Sequence, residues 1–211
     1  MFVPFTVVRH PLIDDRLTQL RDARTDPAAF RLALRDISTV LAVLATRDLA
    51  TEALTVTTPL ARASAARLES AQLVLVPVLR AGLGMVEAVH TLFPQASVCH
   101  LGVYRDEDSR RPVPYYAKLP AAVEGKIAVM LDPMLATGGS AAFSAELLSE
   151  ARVREIRLLC VVAAPDGVRL LAAKAPTVKV YAAALDSQLN DQAFIVPGLG
   201  DAGDRQFDTL G

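Results

Sequence analysis

The first fifty residues carry apolar side chains at helical spacing. Asp26 followed by Pro27 is typical of a helix N-cap with proline at the first helical position. Behind them, apolar residues recur at intervals of four and three, which predicts one face of a helix that ends near Thr46. That face comprises Phe30, Leu34, Ile37, Leu41 and Leu44. A shorter helix is predicted over residues 14–24, with Leu17 and Leu20 facing inward.

From residue 71 onward the pattern changes to short, uninterrupted apolar runs. Runs of this length are typical of strands buried on both faces, as in a parallel sheet. The runs are Leu73–Val78, Ala96–Val103, Ile127–Leu131, Leu158–Ala164 and Val178–Leu185. Helical stretches at 84–92, 140–151 and 167–173 alternate with them, so we predict an α/β fold with an open, mostly parallel sheet flanked by helices. In such sheets ligands bind beyond the carboxyl ends of the strands.

Length and charge limit the classes of protein to which the chain can belong. We interpret the 211 residues as a single domain, with a mostly helical part over 1–70, an α/β core over 71–185 and a terminal loop segment over 186–211. The 22 basic and 23 acidic residues leave a net charge of −1, which is too balanced for a general nucleic-acid binder.

Two further patterns predict a cytoplasmic protein without a membrane span. The longest stretch without a formal charge, residues 88–104, contains two histidines, a proline and a glutamine, so it is not a membrane span. No basic start followed by an apolar run opens the chain. Cys99 and Cys160 lie in apolar segments and are predicted to be buried free thiols.

The segment after Leu131, residues 132–140, has the composition of a phosphate site. Thr137, two glycines and Ser140 stand at a helix start, where backbone amides and the helix dipole favour an anion. Asp132 would repel phosphate, but it could accept hydrogen bonds from vicinal sugar hydroxyls or hold a hydrated metal. Together these features suggest a ribose 5-phosphate site. The alternative is a Gly-Gly turn with Asp132 as a helix cap.

Two more segments place cations at strand ends. Arg80 lies between a strand and a Gly-x-Gly turn, where a guanidinium can meet an anion, although it could equally be a surface charge. Arg105 ends another predicted strand, and the charged run after it, through Arg111, has the composition of a solvated loop.

The last segment, residues 194–205, is rich in glycine. Its exposed backbone groups could present the donor, acceptor and donor that a planar base edge requires. The alternative is a flexible terminal tail. No nucleophile motif of the G-x-S-x-G kind is present, so the chemistry is predicted to depend on positioning and charge.

These segments, in this order, resemble the type I phosphoribosyltransferases. Residues 132–140 are similar to the ribose-phosphate loop of the uracil-specific members, which carry proline, here Pro133, where most of the wider family has a second acidic residue. The resemblance covers nearly the whole chain. The sequence departs from the family at Val43-Leu44, at Arg111 and at Gln192-Ala193-Phe194.

The resemblance implies the type I phosphoribosyltransferase fold, with N-terminal helices and a C-terminal hood that binds the base. It implies transfer of phosphoribose from 5-phospho-α-D-ribose 1-diphosphate (phosphoribosyl diphosphate) to uracil, giving UMP and diphosphate. Arg80, Arg105 and Asp132 would be catalytic. The phosphoribosyl diphosphate site would comprise Arg80, Arg105, Asp132, Pro133, Met134, Leu135, Ala136, Thr137, Gly138, Gly139, Ser140 and Asp201. The uracil site would comprise Ile195, Gly200, Asp201 and Ala202.

The same resemblance implies partners and a backbone feature. Mg²⁺ is the expected cofactor, with Asp201 contacting it through water or substrate. A homodimer or higher homo-oligomer is expected, and GTP is a candidate effector, although nothing in the sequence reveals a GTP site. The loop beyond Arg105 would be a flap over the ribose. A non-proline cis peptide is expected near Arg80–Ala81.

Two alternatives stay open at this point. The enzyme could use a base other than uracil, which the C-terminal loop would decide. The chain could instead be a pyrimidine-responsive RNA-binding regulator on the same fold. Pro133 and the net charge of −1 argue against the regulator, since such proteins carry a paired acidic loop and a basic face.

Overall fold

The chain folds around a mostly parallel sheet. The computed structural model describes residues 3–105, 112–117, 119 and 123–209. Within these residues nine strands form one sheet, in the order β1-β11-β10-β8-β4-β6-β7, with the short β5 beside β4 and β9 beside β10. The strands are β1 Phe5–Val7, β4 Leu73–Leu79, β5 Ser97–Val98, β6 Leu101–Arg105, β7 Pro112–Ala117, β8 Ile127–Leu131, β9 Met134–Leu135, β10 Glu155–Ala163 and β11 Lys179–Leu185. Every pair is parallel except β6 with β7, which confirms the predicted fold class.

Helices cover both faces of the sheet. They are α1 Pro11–Arg21, α2 Pro27–Ala45, α3 Leu83–Leu92, α4 Gly139–Glu150, α5 Pro165–Lys174 and α6 Ala202–Phe207. Alternate residues of β4 enter different cores: Leu73 and Leu75 pack with α1, α2 and α3, whereas Val74 and Val76 pack with α4 and α5. Because both faces are covered, the strands need apolar residues at every position.

Local capping explains where the first two helices begin. The Asp26 side chain accepts a hydrogen bond from the Ala29 amide at 2.9 Å, and Pro27 is the first residue of α2, as predicted. The prediction for α1 was three residues late. His10 caps that helix by accepting the Leu12 amide at 3.1 Å, and Pro11 opens it.

The first seventy residues also contain a β-hairpin that the hydrophobic pattern did not predict. Strands β2 Thr51–Thr57 and β3 Arg62–Leu68 pair antiparallel. Most of their residues are exposed, and apolar and polar residues alternate only over stretches of four, 54–57 and 62–65, which the prediction did not use. At the turn between them Leu60 is 96% exposed. A second short pair, β12 Gln188–Leu189 and β13 Ile195–Val196, lies near the end of the chain.

The structure also bears on the two cysteines and on the apolar length of the helices. Cys99 and Cys160 are free and buried, as predicted. None of the helices among the described residues is both long and apolar enough to cross a lipid bilayer.

Candidate functional site

A cavity of about 430 Å³ lies at the carboxyl ends of β4 and β8. It joins three segments that are far apart in the chain: the loop after β4, the loop after β8 and the segment around β13. Its lining includes Arg80, Asp132, Met134, Ala136, Ser140, Ile195 and Asp201, all of them predicted site residues. Parallel strands bring their carboxyl ends to one edge, which is why distant loops meet here.

Asp132 stands directly after β8, half-buried at the wall of this cavity. Its backbone amide donates to the Leu159 carbonyl at 3.2 Å, and its Oδ1 accepts the Met134 amide at 3.2 Å. The pKa of Asp132 is raised to about 7, because burial outweighs the lowering effect of the Met134 amide and the negative charge of Asp201 adds a smaller rise. The carboxyl group is therefore divided between its charged and neutral forms near neutral pH.

The residues after Asp132 alternate between the sheet and the cavity. The Pro133 carbonyl accepts the amides of Val161 and Val162 at 2.9 and 3.1 Å. Leu135 lies in β9, which pairs with β10, and it is buried. Met134 and Ala136 line the cavity instead. Of this predicted loop, Pro133 and Leu135 thus fix the backbone to the sheet, and their neighbours face the site.

The start of α4 packs against α5 by backbone contact. Gly138, at the N-cap with φ +82°, has so little space that an added Cβ would lie 2.7 Å from the Gly167 carbonyl oxygen. A Cβ on Gly167, in α5, would lie 2.6 Å from the Ala136 carbonyl oxygen. No side chain caps α4, so its first-turn amides are available to an anion. Ser140 lines the cavity, and Thr137 is half-buried beside it.

Arg80 reaches the cavity from the loop after β4. The peptide bond between Leu79 and Arg80 is cis, one bond before the predicted position. The Arg80 side chain is 57% exposed, and its Nη2 donates to Asp204 Oδ1 at 2.9 Å. Hydrogen bonding from Thr209 and the Arg80 guanidinium lower the pKa of Asp204. The arginine is thus oriented by a neighbour while remaining accessible.

Arg105 was the second predicted cation of the site. Its backbone ends β6 and pairs with Pro112. Its side chain, like residues 106–111 of the predicted flap, lies outside the part of the chain that the structure describes.

The C-terminal segment enters the cavity through some of its predicted residues. Ile195 and Asp201 line it. Asp201 also caps α6, because its Oδ1 accepts the Asp204 amide at 3.0 Å. Gly200, at φ +76°, is exposed, and Ala202 is fully buried in α6; neither lines the cavity.

The structure adds lining residues that were noted in the sequence only as departures from the family. Gln192, Ala193 and Phe194 form part of the cavity wall. Asn190 shapes this turn, since its Oδ1 accepts the amides of Gln192 and Phe194 at 3.1 and 2.9 Å. Ala193 takes φ +65°, a conformation that favours glycine. Their place in the chain, directly before the glycine-rich segment, was the available signal.

The carboxylates of the cavity could hold a metal ion only together with oxygen atoms from a bound substrate. Among the described residues, no group of three or more His, Cys, Asp or Glu side chains is placed to hold a metal. Asp132 and Asp201 both line the cavity, and their like charges would be relieved by a cation. One or two carboxylates plus substrate phosphates is the donor set that Mg²⁺ uses in phosphate sites.

Comparison with known proteins gives one consistent family. The family model described as "Uracil phosphoribosyltransferase" matches residues 7–209. Proteins named uracil phosphoribosyltransferase from Symbiobacterium thermophilum and Bacillus thuringiensis are 50% and 46% identical to the chain, over 96% of it and 97% of each relative. A solved structure of an Aquifex aeolicus protein superposes with a TM-score of 0.91 at 33% identity, covering 96% of this chain and 97% of that one.

Proposed function

Because the chain belongs to the uracil phosphoribosyltransferase family, we propose that it converts uracil and phosphoribosyl diphosphate to UMP and diphosphate. The observation that carries this proposal is that Arg80, Asp132 and Ser140 meet at one cavity with Ile195 and Asp201, the two ends of the glycine-rich segment. A cation, a sugar acceptor, a helix N-terminus and a backbone-rich loop are the four kinds of group that the two substrates need.

The reaction exchanges one bond at the ribose C1 for another. The bond between C1 and the diphosphate oxygen breaks, and the diphosphate leaves with the electron pair. A bond forms from uracil N1 to C1, and N1 loses its proton. Positive charge develops on the ribose and negative charge on the leaving group, so fixed charges of opposite sign are what the protein must supply.

Arg80 is the group that we assign to the leaving diphosphate. Its guanidinium lies at the cavity and is already oriented by Asp204. Planar donors of this kind match phosphate oxygens and stabilise charge as it accumulates on them. Arg105 is assigned to the same diphosphate from its position at the end of β6.

Asp132 and the start of α4 are assigned to the ribose 5-phosphate. The first amides of α4, with the Thr137 and Ser140 hydroxyls, would bind the 5-phosphate. Asp132, at the cavity wall, would accept hydrogen bonds from the ribose hydroxyls. As a carboxylate it also stabilises the positive charge that develops at C1.

The segment around Ile195 and Asp201 is assigned to uracil. Ile195 supplies an apolar contact at the cavity. Backbone groups of the glycine-rich loop would supply donors and an acceptor to the base edge. Asp201 would hold Mg²⁺ through water or through the substrate phosphates, with Asp132 nearby. Bound there, Mg²⁺ would neutralise charge on the diphosphate and help it leave.

UMP formation from uracil and phosphoribosyl diphosphate, measured with Mg²⁺ and with EDTA, tests the proposal. We expect UMP only with Mg²⁺. Cytosine, hypoxanthine and adenine in place of uracil should give at least about a hundredfold less product, because a site built for one hydrogen-bonding edge leaves polar groups unpaired with another. Equal turnover of a second base would contradict the assigned specificity, and absence of product with all four bases would contradict the activity.

Family membership supports two further proposals about assembly and regulation. We propose a homo-oligomer, to which the exposed β2–β3 hairpin, with Leu60 at its tip, contributes apolar surface. Light scattering at assay concentration should give at least twice the chain mass. We also propose GTP as an effector, which UMP formation with and without GTP would test.

A further inference from the structure

The loop that carries the proposed uracil site is held by an ion pair from outside the cavity. We call residues 195–201 the base loop. Asp186 follows β11 and is almost fully buried. Both of its carboxylate oxygens accept from Arg21, the last residue of α1: Oδ1 from Nη2 at 2.6 Å and Oδ2 from Nη1 at 2.9 Å. Bidentate pairs of this kind fix geometry as well as adding stability.

The pair satisfies both backbone groups of Gly198 in the middle of the base loop. The Gly198 amide donates to Asp186 Oδ2 at 2.9 Å, and its carbonyl accepts from Arg21 Nη1 at 2.8 Å. Gly198 is buried, so these groups have no access to water as an alternative partner. Its φ of +60° and the 2.0 Å that would separate an added Cβ from the Ile195 carbonyl oxygen show how tightly the loop turns here.

Arg205, in α6, joins the next residue of the base loop to the end of α1. Arg205 Nη1 donates to the Leu199 carbonyl at 2.8 Å and also to the Leu20 carbonyl, while Nη2 donates to the Asp22 carbonyl at 2.7 Å. Its guanidinium lies 4.6 Å from the centre of the Phe30 ring. Two consecutive loop residues are thus tied to the same corner of the N-terminal helices.

We propose that Arg21 and Asp186 are positioning residues for uracil, an inference that rests on the proposed function. Neither side chain lines the cavity. Gly198 lies three residues after Ile195, which does line the cavity, so the ion pair sets where Ile195 stands, whereas Asp201 is held separately by the Asp204 amide. The diphosphate loop after β4 has no contact with this pair among the hydrogen bonds of the described residues, so its effect is specific to the base.

The kinetic test compares three variants with a matched control. Arg21→Ala should raise KM for uracil about tenfold, the size expected from losing charged hydrogen bonds to a buried loop, with KM for phosphoribosyl diphosphate changed by less than about twofold. Asp186→Asn should do the same. Arg21→Lys should fall between, because the single nitrogen of an ammonium group cannot match the planar fork in which two guanidinium nitrogens contact Asp186 and Gly198.

Arg16→Ala is the control. Arg16 lies in the same helix, its side chain is 26% exposed against 25% for Arg21, and it forms an ion pair with Asp36 at 2.7 Å. It makes no contact with the base loop in the hydrogen bonds of the described residues. Its loss should leave both KM values unchanged. Equal changes in Arg16→Ala and Arg21→Ala, or an Arg21→Ala variant with unchanged KM for uracil, would overturn the proposal.

Hydrogen exchange at the Gly198 amide tests the ion pair independently of catalysis. It should be at least about tenfold faster in Arg21→Ala and Asp186→Asn, with β10 amides unchanged, and should stay at the wild-type rate in Arg16→Ala. Unchanged exchange at Gly198 would refute the positioning role. A wild-type protein that makes no UMP would refute the proposed function instead, and the exchange result would still decide whether the pair holds the loop.

Discussion

We assigned phosphate binding to one end of the cavity, at the loops after β4 and β8 (the phosphate end), and uracil binding to the other, at the base loop (the base end). The two ends are built by different means. At the phosphate end, loops are short, follow directly from β4 and β8, and pack backbone against backbone at Gly82, Gly138 and Gly167. At the base end, the loop is held by side chains from elsewhere, such as Arg21, which is 177 positions from Gly198. The phosphate end therefore depends mainly on the absence of side chains, whereas the base end, besides its glycine at 198, depends on the presence of particular side chains.

This difference predicts that substitutions at the two ends have different effects on the protein. A side chain added at the phosphate end should disturb the sheet and hence the whole fold. A change at the base end should alter uracil binding in a protein that is still folded. Substitutions at each end test this contrast.

The largest effect is expected from Gly82→Ala. An added Cβ would lie 2.2 Å from the Leu131 carbonyl oxygen and 2.7 Å from the Val78 nitrogen, and both are backbone atoms of the central strands. We expect a loss of about 4 kcal/mol in the free energy of unfolding, measured by urea denaturation. Gly125→Ala is the control, because nothing lies within 4 Å of its added Cβ and only its positive φ is strained. Equal losses in the two variants would refute the explanation.

Asp132→Asn should remove most of the activity and leave the fold intact. The amide keeps the shape and can still accept the Met134 amide, but it cannot stabilise positive charge on the ribose. We expect kcat to fall about a hundredfold or more, as when a preorganised electrostatic group is lost. Near-normal kcat in this variant would exclude the assigned role.

The same variant should be more stable than the wild type above neutral pH. The pKa of Asp132 is about 7 in the folded protein and near 4 when unfolded, so the folded state holds the proton more tightly. As pH rises from 4 to 7 the wild type loses this contribution to stability, and the loss is complete above pH 7. Asparagine does not titrate. The difference in free energy of unfolding between Asp132→Asn and the wild type should therefore shift in favour of the variant from pH 4 to pH 8. Allowing for solvent screening at a half-buried site, we expect this shift to be about 1–2 kcal/mol. A difference that is constant with pH in urea melts with EDTA would contradict the raised pKa.

At the base end, Gly198→Ala should weaken uracil binding more than it weakens the fold. The added Cβ would clash with the Ile195 carbonyl oxygen, so the base loop must rearrange. We expect KM for uracil to rise about tenfold and KM for phosphoribosyl diphosphate to stay within about twofold. Gly200→Ala, whose added Cβ meets only Arg205 Cδ at 3.4 Å, should have a smaller effect. A rise in both KM values in Gly198→Ala would show that the two ends are not independent.

The smallest effect is expected at Ala193. Its φ of +65° costs an alanine about 1 kcal/mol, and the greater entropy of glycine in the unfolded chain would offset part of the stability gained by removing that strain. Ala193→Gly should therefore raise stability by about 0.5 kcal/mol, seen as a small increase in Tm. Ala175→Gly, at an ordinary φ of −141°, should lower it. Destabilisation by both substitutions would contradict the reasoning.

The sequence predicted the phosphate end better than the base end. The reason is the different way in which each end is held in place. The strand before Asp132 has the predicted bounds, because its apolar run and the glycines after it are neighbours in the chain. The importance of Arg21 and Asp186 to the base loop was not predictable, since nothing local marks residues that meet only through folding. Ala202 was placed in the uracil site by resemblance, its side chain packs in the hydrophobic core, and its part in uracil binding stays a prediction.

Elsewhere the pattern failed where burial is slight or elements are short. Strand β1 has three residues, too few to show a period. The β2–β3 hairpin exposes most positions, so apolar and polar residues alternate over only four residues in each strand even though the backbone pairs over seven. By contrast, α2 was predicted with its N-cap because a long buried face and a local cap coincide.

The contact between Arg80 and Asp204 has a consequence for how the cavity discriminates among anions. The guanidinium is held at a carboxylate before any substrate arrives, so every incoming anion must compete with an internal one. The pair is exposed, and such pairs contribute about 0–1 kcal/mol, which a multiply charged diphosphate offsets easily. Chloride or another singly charged ion gains little from the exchange. Asp204 thus sets a lower limit on the charge of an anion that can displace it from Arg80. It also keeps the Arg80 side chain in place until such an anion binds.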